Sequence, residues 1–451
     1  MSPERFPRTP PGPGPVTPFA FPPVHAARLD AGLEVRTARR HGVPLVTALL
    51  VMDAGEATVA GPRAGLAVLS GKALHGGTVH RSAVELACAL EDMGTHLATS
   101  TGWDSTVVSL TCAVDRFPRA LRLLSEVVLT PGYPGEEVER TREQQLGGIR
   151  QRRMYPAQLA TAAAARFFFA EGTTYGRPMA GTEGTVAGLE RTHVTDYAAS
   201  RYRPHGAALI VAGDVAKVEV TDLAAECFGS WRGRATTVEA TAGPRFGERR
   251  IVIVHRPGAV QSELRIGHAS VPRATPDFFP LIVLNSVLGG AFTSRLNLNL
   301  REDKGFTYGV SSRFLLRRAG GMFRIATAVA TEVTAAAVRE VLAETEALVA
   351  SGPTPAEVRG ARDYLAGIFP LSMETTAQVA SGIARVFVHG LSADHHARFR
   401  ERVRAVKVED VARAARSRLH PDALTVVVAG DADRVAPELE PLGPVEVHHD
   451  F

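Results

Sequence analysis

Two stretches of this chain each occur twice. "YRPHGAALIVAGDVAKV" (202–218) returns as "LHPDALTVVVAGDADRV" (419–435), an apolar run that ends in Ala-Gly-Asp. "PGEEVERTREQQLGGI" (134–149) returns as "TPAEVRGARDYLAGI" (354–368), a proline-started helix with Glu in its first turn, where the helix dipole favours a negative charge. Both echoes share an offset of 217 to 220 residues. Solenoid repeats have periods of roughly 20 to 50 residues, so each copy here is a whole domain. A chain of 451 residues is long enough for two such domains, each with its own core.

The duplication sets the expected boundaries. Residues 1–24 hold nine prolines and read as an extended arm, 25–231 as the first domain and 250–451 as the second. Between them 232–249, short of bulky apolar residues and carrying Gly and Pro, reads as a linker. Within the first copy, 33–39 and 43–55 read as a hairpin, 62–76 and 81–94 as helices, and 96–114 as two strands. Helices at about 116–128 and 134–153 follow, and 206–215 is the last strand. The second copy opens with strands at 250–256 and 262–271 and has a central strand at 323–330. Helices segregated against a mostly antiparallel sheet give an α+β class, with two homologous domains arranged as a clamshell.

Composition removes several function classes. A formal charge of +4 without basic runs interleaved with aromatics argues against nucleic acid. Cys88, Cys112 and Cys227 are scattered and odd in number, which fits neither a disulfide framework nor a thiolate metal site and suits a reducing cytoplasm. No apolar run approaches the roughly 20 residues needed to cross a bilayer. "SVLGGAF" (286–292) lacks the order of a phosphate loop, and no G-x-S-x-G elbow is present.

One helix raises the question of function. In "GLAVLSGKALHGGT" (65–78), Leu66, Leu69, Ala73 and Leu74 form an apolar stripe, yet Gly71 sits mid-helix at a cost of about 1 kcal/mol against alanine. The stretch from Ala64 to Leu110 resembles the first domain of the insulinase and pitrilysin metallopeptidases, which include mitochondrial processing peptidase. The likeness extends from about residue 26 to 440. In zinc-bearing members this helix carries an inverted His-x-x-Glu-His motif, whose three positions fall here on Val68, Gly71 and Lys72. Valine offers no donor atom, glycine no general base, and an ammonium repels a divalent cation. The family's third ligand, a glutamate on a later helix, falls on Gly148; Glu143 could serve only after a one-turn slip. The adjacent pairs His395/His396 and His448/His449, and His75 with His80, have the wrong spacing to rebuild the site. The expectation is no metal in this chain. Lys72 itself reads as a solvated or snorkelling side chain, with contact to a substrate carboxylate as its functional alternative.

The second copy differs. "TSRLNLNLREDKGFTYGVSS" (293–312) reads as a helix whose apolar residues are Leu296, Leu298 and Leu300, stopped by Gly305, and a strand starting at Phe306. Arg301 could neutralise the helix end and Tyr308 could be a half-buried strand aromatic. The resemblance implies more: in the family an arginine and a tyrosine at this spacing grip substrate and steady the carbonyl under attack. A permanently charged guanidinium and a phenol donor suit that role. The resulting expectation is the metal-free subunit of a heterodimeric peptidase. A homologous partner with the His-x-x-Glu-His motif supplies the zinc, and Arg301 and Tyr308 complete the site. The alternative is a non-catalytic scaffold or peptide-binding subunit of a larger assembly.

Overall fold

The computed structural model describes residues 18–236, 238–243, 247–449 and 451. Most of the arm (1–17) and positions 237 and 244–246 of the linker lie outside the described residues. The strands are β1 (Val24–Arg28), β2 (Glu34–Arg39), β3 (Leu45–Met52), β4 (Ala98–Thr101), β5 (Thr106–Ala113) and β6 (Ala208–Gly213) in the first half. In the second half they are β7 (Arg250–His255), β8 (Gln261–Ser270), β9 (Val310–Leu316), β10 (Gly321–Ala330), β11 (Thr425–Gly430) and β12 (Val445–His448). Helices α1 (Leu66–Ala73), α2 (Ala83–Glu91), α3 (Phe117–Leu129), α4 (Gly135–Met154), α5 (Pro156–Phe168), α6 (Glu183–Ala187), α7 (Arg191–Arg201) and α8 (Val220–Phe228) precede the linker. After it come α9 (Phe278–Asn285), α10 (Thr334–Ser351), α11 (Pro355–Leu371), α12 (Thr376–Val388), α13 (Phe399–Ala405), α14 (Val408–Arg418) and α15 (Ala432–Leu439).

The strands make two six-stranded mixed sheets, ordered β1-β2-β6-β3-β5-β4 and β12-β7-β11-β8-β10-β9. The two share one plan. β6 lies parallel to β2 and antiparallel to β3, and β11 lies parallel to β7 and antiparallel to β8, so the echoed Ala-Gly-Asp strands occupy the same slot. The sixth strand breaks the symmetry: β1 adds antiparallel to β2 from upstream, and β12 adds parallel to β7 from downstream. The expected hairpin of 33–39 with 43–55 does not form, because β6 inserts between β2 and β3. The insertion buries β6 on both faces, which is why Ala208–Gly213 is an unbroken apolar run.

Each half finishes its core with a helix from the other. On the first sheet, Val46, Ala48, Leu50 and Met52 of β3 face a layer that includes α1, α3, α4, α7 and α8, as the alternation of a strand requires. Leu49 and Val51 point the opposite way, onto Val379, Ala380, Ile383 and Ala384 of α12. On the second sheet, Val252, Val254, Val427 and Ala429 meet Leu159, Ala160, Ala163 and Phe167 of α5. Polar ties lock the exchange. Arg265 donates to Ala157 O (2.9 Å) and Arg250 to Phe167 O (2.6 Å), while the Thr47 and Thr376 hydroxyls lie 2.8 Å apart. The halves of the sequence are thus distinct in order but share their packing.

In the second half the segment expected as an ordinary helix winds more widely, as a π-helical turn over Asn297–Asp303. That winding buries Leu296 and Leu300 but leaves Leu298 on the surface. Gly305, at φ +64°, ends it with a left-handed residue. The strand then begins at Val310 rather than Phe306, because Thr307 folds back on itself: its hydroxyl lies 3.0 Å from Gly309 O and 3.1 Å from Gly309 N.

Candidate functional site

The helix on which the resemblance places the metal motif, α1, is a buried strut. Glu56 fixes its start. This carboxylate is fully buried and accepts from Gly65 N (2.7 Å) and Ala67 N (3.1 Å), meeting the unpaired donors at the N-terminus of α1. Burial pushes the Glu56 pKa up to about 7 against the pull of those N–H groups and of Arg177, 3.7 Å away. Gln145 of α4 donates to Gly65 O and to Ala180 O, both at 3.0 Å, and sets the register of α4 against α1. With Gln145 pinned, Glu143 stays exposed beside Arg142, and the slip that would bring it to the metal position is closed.

The four motif positions then fall as follows. Val68 and Gly71 are buried, Lys72 is the one exposed residue of α1, and Gly148 is half-buried with open space where a Cβ would be. Gly71 is more than a lost carboxylate. A Cβ built on it would overlap Thr101 Oγ1, so β4 has closed into the room that a side chain would need. Thr101 Oγ1 lies 3.0 Å from Thr106 Oγ1, whose hydroxyl donates to Ala54 O at 2.7 Å. These residues do not fit a zinc ion: they offer an alkyl group, two bare backbones and an ammonium.

Positive charge gathers there instead. Arg152, one turn beyond Gly148 on α4, stands close enough to Lys72 for the two cations to repel. Both are pushed below their ordinary pKa, Arg152 by desolvation and Lys72 by desolvation and then by Arg152. Reading the sequence missed Arg152; its signal was the i, i+4 step from Gly148.

On the second half, the guanidinium of Arg301 lies over the ring of Phe292, 4.3 Å from its centroid, with Glu302 at 3.5 Å. Tyr308 stands on the loop before β9, not in a strand, and is 99% exposed. Among the described residues, neither side chain pairs with the other or with a residue of the first half. Phe292 and the nearby Leu298 are both exposed.

Three of the other candidate histidines make structural hydrogen bonds. His396 Nε2 donates to Gly382 O (2.9 Å), His395 Nε2 accepts from Arg273 (3.1 Å), and His75 meets Thr99 (3.2 Å). The described residues hold one group with metal-ligand proximity that the sequence reading did not find, His255, Asp431 and Asp433, with one atom of each within 4.8 Å of the others. Two of its donors are already occupied: Ala432 N donates to His255 Nδ1 and Gly258 N to Asp431, both at 3.1 Å.

Comparison with known proteins gives these positions their context. Residues 34–183 match the family model "Insulinase (Peptidase family M16)" and residues 188–365 match "Peptidase M16 inactive domain". An uncharacterized zinc protease of Mycobacterium tuberculosis is 28% identical over 347 residues, 76% of this chain and 79% of its own. The human mitochondrial-processing peptidase subunit beta is 27% identical over 282 residues, 60% of this chain and 56% of its own. Among solved structures, a peptidase M16 inactive domain from Pseudomonas fluorescens superposes with a TM-score of 0.85 at 23% identity, covering 91% of this chain and 98% of that one. A protease from Helicobacter pylori gives 0.83 at 18%, covering 90% and 99%. No helix among the described residues is long and apolar enough to cross a membrane. The chain is an insulinase-family (M16) peptidase homologue whose positions 68, 71, 72 and 148 carry no side chain able to hold the family's metal.

Proposed function

We propose that this protein is the metal-free subunit of a two-chain peptidase, binding peptide substrate and lending Arg301 and Tyr308 to a site whose metal is held by a homologous partner with a His-x-x-Glu-His helix. The observation that carries the reading is the contrast between the two halves. On α1, Val68, Gly71 and Lys72 offer no metal ligand, and Thr101 Oγ1 fills the space beside Gly71. Tyr308, in contrast, is fully exposed, and Arg301 keeps a half-exposed guanidinium over the ring of Phe292. Among the described residues the Tyr308 phenol has no partner, whereas across a dimer chamber it can donate to a carbonyl oxygen as charge develops on it. Each well-aimed donor of this kind is worth on the order of 3 kcal/mol in the transition state. The guanidinium adds a fixed positive charge for aligning the peptide backbone.

Reconstitution tests the reading. The chain alone and the chain mixed with a candidate partner are assayed on a fluorogenic peptide library. Cleavage that needs both chains and falls when Arg301 is replaced supports the shared site. Cleavage by the partner alone, unaffected by this chain, leaves it a scaffold.

A further inference from the structure

The exchanged helices α5 and α12 lead into matching junctions, and the two junctions differ in charge. In the first half the loop after β3 supplies Glu56 and the loop after α5 supplies Arg177, 3.7 Å apart. β8 takes the place of β3 in the second sheet, antiparallel to β11 as β3 is to β6. The loop after β8 supplies Arg273 and the loop after α12 supplies His395, so the arginine here meets an imidazole: Arg273 donates to His395 Nε2 at 3.1 Å. Its guanidinium lies over the Phe278 ring, 3.4 Å from the centroid. Among the described residues no carboxylate pairs with Arg273. A cavity of about 260 Å³ opens at this junction, lined in part by Arg273, Phe278, Phe279, Ser392, His395 and Arg402, and none of its lining residues is acidic. Arg402 lies 5.8 Å from the centre of the Phe279 ring. The neighbouring carboxylates stand outside the wall and are committed: Asp394 is shared by Arg402 and Arg398, Glu401 pairs with Arg398 and Asp277 with Arg418.

We infer that this cavity is a receptor for an oxyanion carried on a flat aromatic ring, an aryl phosphate or an aromatic carboxylate, with the anion on Arg273 and Arg402 and the ring against the phenyl groups of Phe278 and Phe279. The anion takes the place that the Glu56 carboxyl holds in the matching junction of the first half. A guanidinium suits it, because its fork of donors can grip two oxygens at once. The phenyl walls favour an aryl body over an alkyl one, since ring edges and faces attract beyond the area they bury. The volume is just under the roughly 300–1,000 Å³ of drug-sized sites, which suits one ring with one anionic group and leaves no room for a stretch of peptide. Burial, with Arg385 adding repulsion, pushes Arg273 down to about 10, and burial followed by Arg273 pushes His395 down to about 4. An arriving anion relieves both. The inference needs no partner subunit and no cleavage.

The test is isothermal titration calorimetry of the full chain with four probes: phenyl phosphate, benzoate, phenol and inorganic phosphate. The expected result is that at least one of the two aryl anions binds about tenfold or more tighter than phenol and than inorganic phosphate, as suits charge-assisted hydrogen bonds joined to ring contacts. Which aryl anion binds tells a phosphate receptor from a carboxylate one. The affinity is expected to fall about tenfold or more in Arg273→Gln and in Ala274→Glu, to fall several-fold in Arg402→Met, and to weaken as salt is raised from about 50 to 300 mM. Ala274 is an exposed residue of the cavity wall, so a glutamate there supplies the missing acid without entering the core, and unchanged circular dichroism establishes that this variant folds even if Arg273→Gln does not. Four results would overturn the inference: no saturable binding of the aryl anions up to about 10 mM, phenol binding equally well, inorganic phosphate matching phenyl phosphate, or affinities that stay the same in both Ala274→Glu and Arg402→Met.

Discussion

The Thr101 hydroxyl occupies the volume that a Cβ on Gly71 would fill, so β4 packs directly against the backbone of α1 at this glycine. Gly71→Ala ordinarily stabilises a helix by about 1 kcal/mol. Here the overlap with Thr101 reverses the sign, and a net loss of about 1–2 kcal/mol is expected. Gly71→Ala combined with Thr101→Ala recovers most of the overlap cost, a coupling that a double-mutant cycle in urea reads directly. A stabilised Gly71→Ala single variant would mean the space is open.

Glu56 ties stability to pH. Its folded pKa of about 7 lies above the ordinary 4.5, so the native state holds the proton more tightly than the unfolded chain does. The stabilisation is complete below pH 4.5 and is lost as pH rises through 7, by roughly 3 kcal/mol at 1.4 kcal/mol per unit. His268, His389 and His395, pushed down to about 4 by burial, act in the opposite sense between pH 4 and 6.5. The stability difference between wild type and Glu56→Gln isolates the carboxyl: the variant gains relative to wild type as pH climbs from 4.5 to 7. A difference that stays flat across that window would show a carboxylate already ionised.

Phe168 belongs to the first half by sequence and to the second by packing. It is fully buried, and its ring closes on the backbone of Gly267 in β8. Phe168→Ala is expected to cost about 3–5 kcal/mol. Hydrogen exchange should rise first in β8 and β11, on which α5 lies, with less change in β3 and β5. Loss of protection confined to the first sheet would contradict the exchanged-helix packing.

Tyr308→Phe and Arg301→Ala separate chemistry from assembly. Tyr308 is fully exposed and Arg301 touches only the exposed Phe292 ring and its neighbour Glu302, so neither supports the fold through a buried contact. In the reconstituted pair each variant is expected to lower kcat by about 10²-fold while the affinity between the two chains is unchanged. Equal losses in affinity and turnover would make the pair an interface feature.

Much of this was legible in the residues. A repeat of some 220 positions is enough to predict two matched sheets, and β6 and β11 do occupy the same slot in each. The resemblance is what marks Val68, Gly71 and Gly148 as motif positions, and side-chain chemistry adds that none of the three offers a ligand atom. What local pattern does not carry is partnership across long sequence separations. The run from Glu34 to Met52 looks like a hairpin because nothing near it announces that Ala208–Gly213 will enter between its strands. The apolar stripe of α5 reveals that it is covered but not by which sheet. The strand before Val310 was misplaced because Phe306 and Tyr308 are β-prone types held in a loop by Gly305 and the Thr307 turn. Thr101 beneath Gly71 is a contact between elements that no spacing rule encodes.

The most direct test of the account is metal content measured alongside activity. The chain purified alone, its candidate partner alone and the mixture are each analysed by mass spectrometry for bound zinc and assayed on the same peptide. The account predicts less than a tenth of an equivalent of zinc in this chain, about one in the partner, and hydrolysis raised on the order of a hundredfold or more in the mixture, most of it lost with Arg301→Ala. Stoichiometric zinc and hydrolysis in this chain by itself would contradict it.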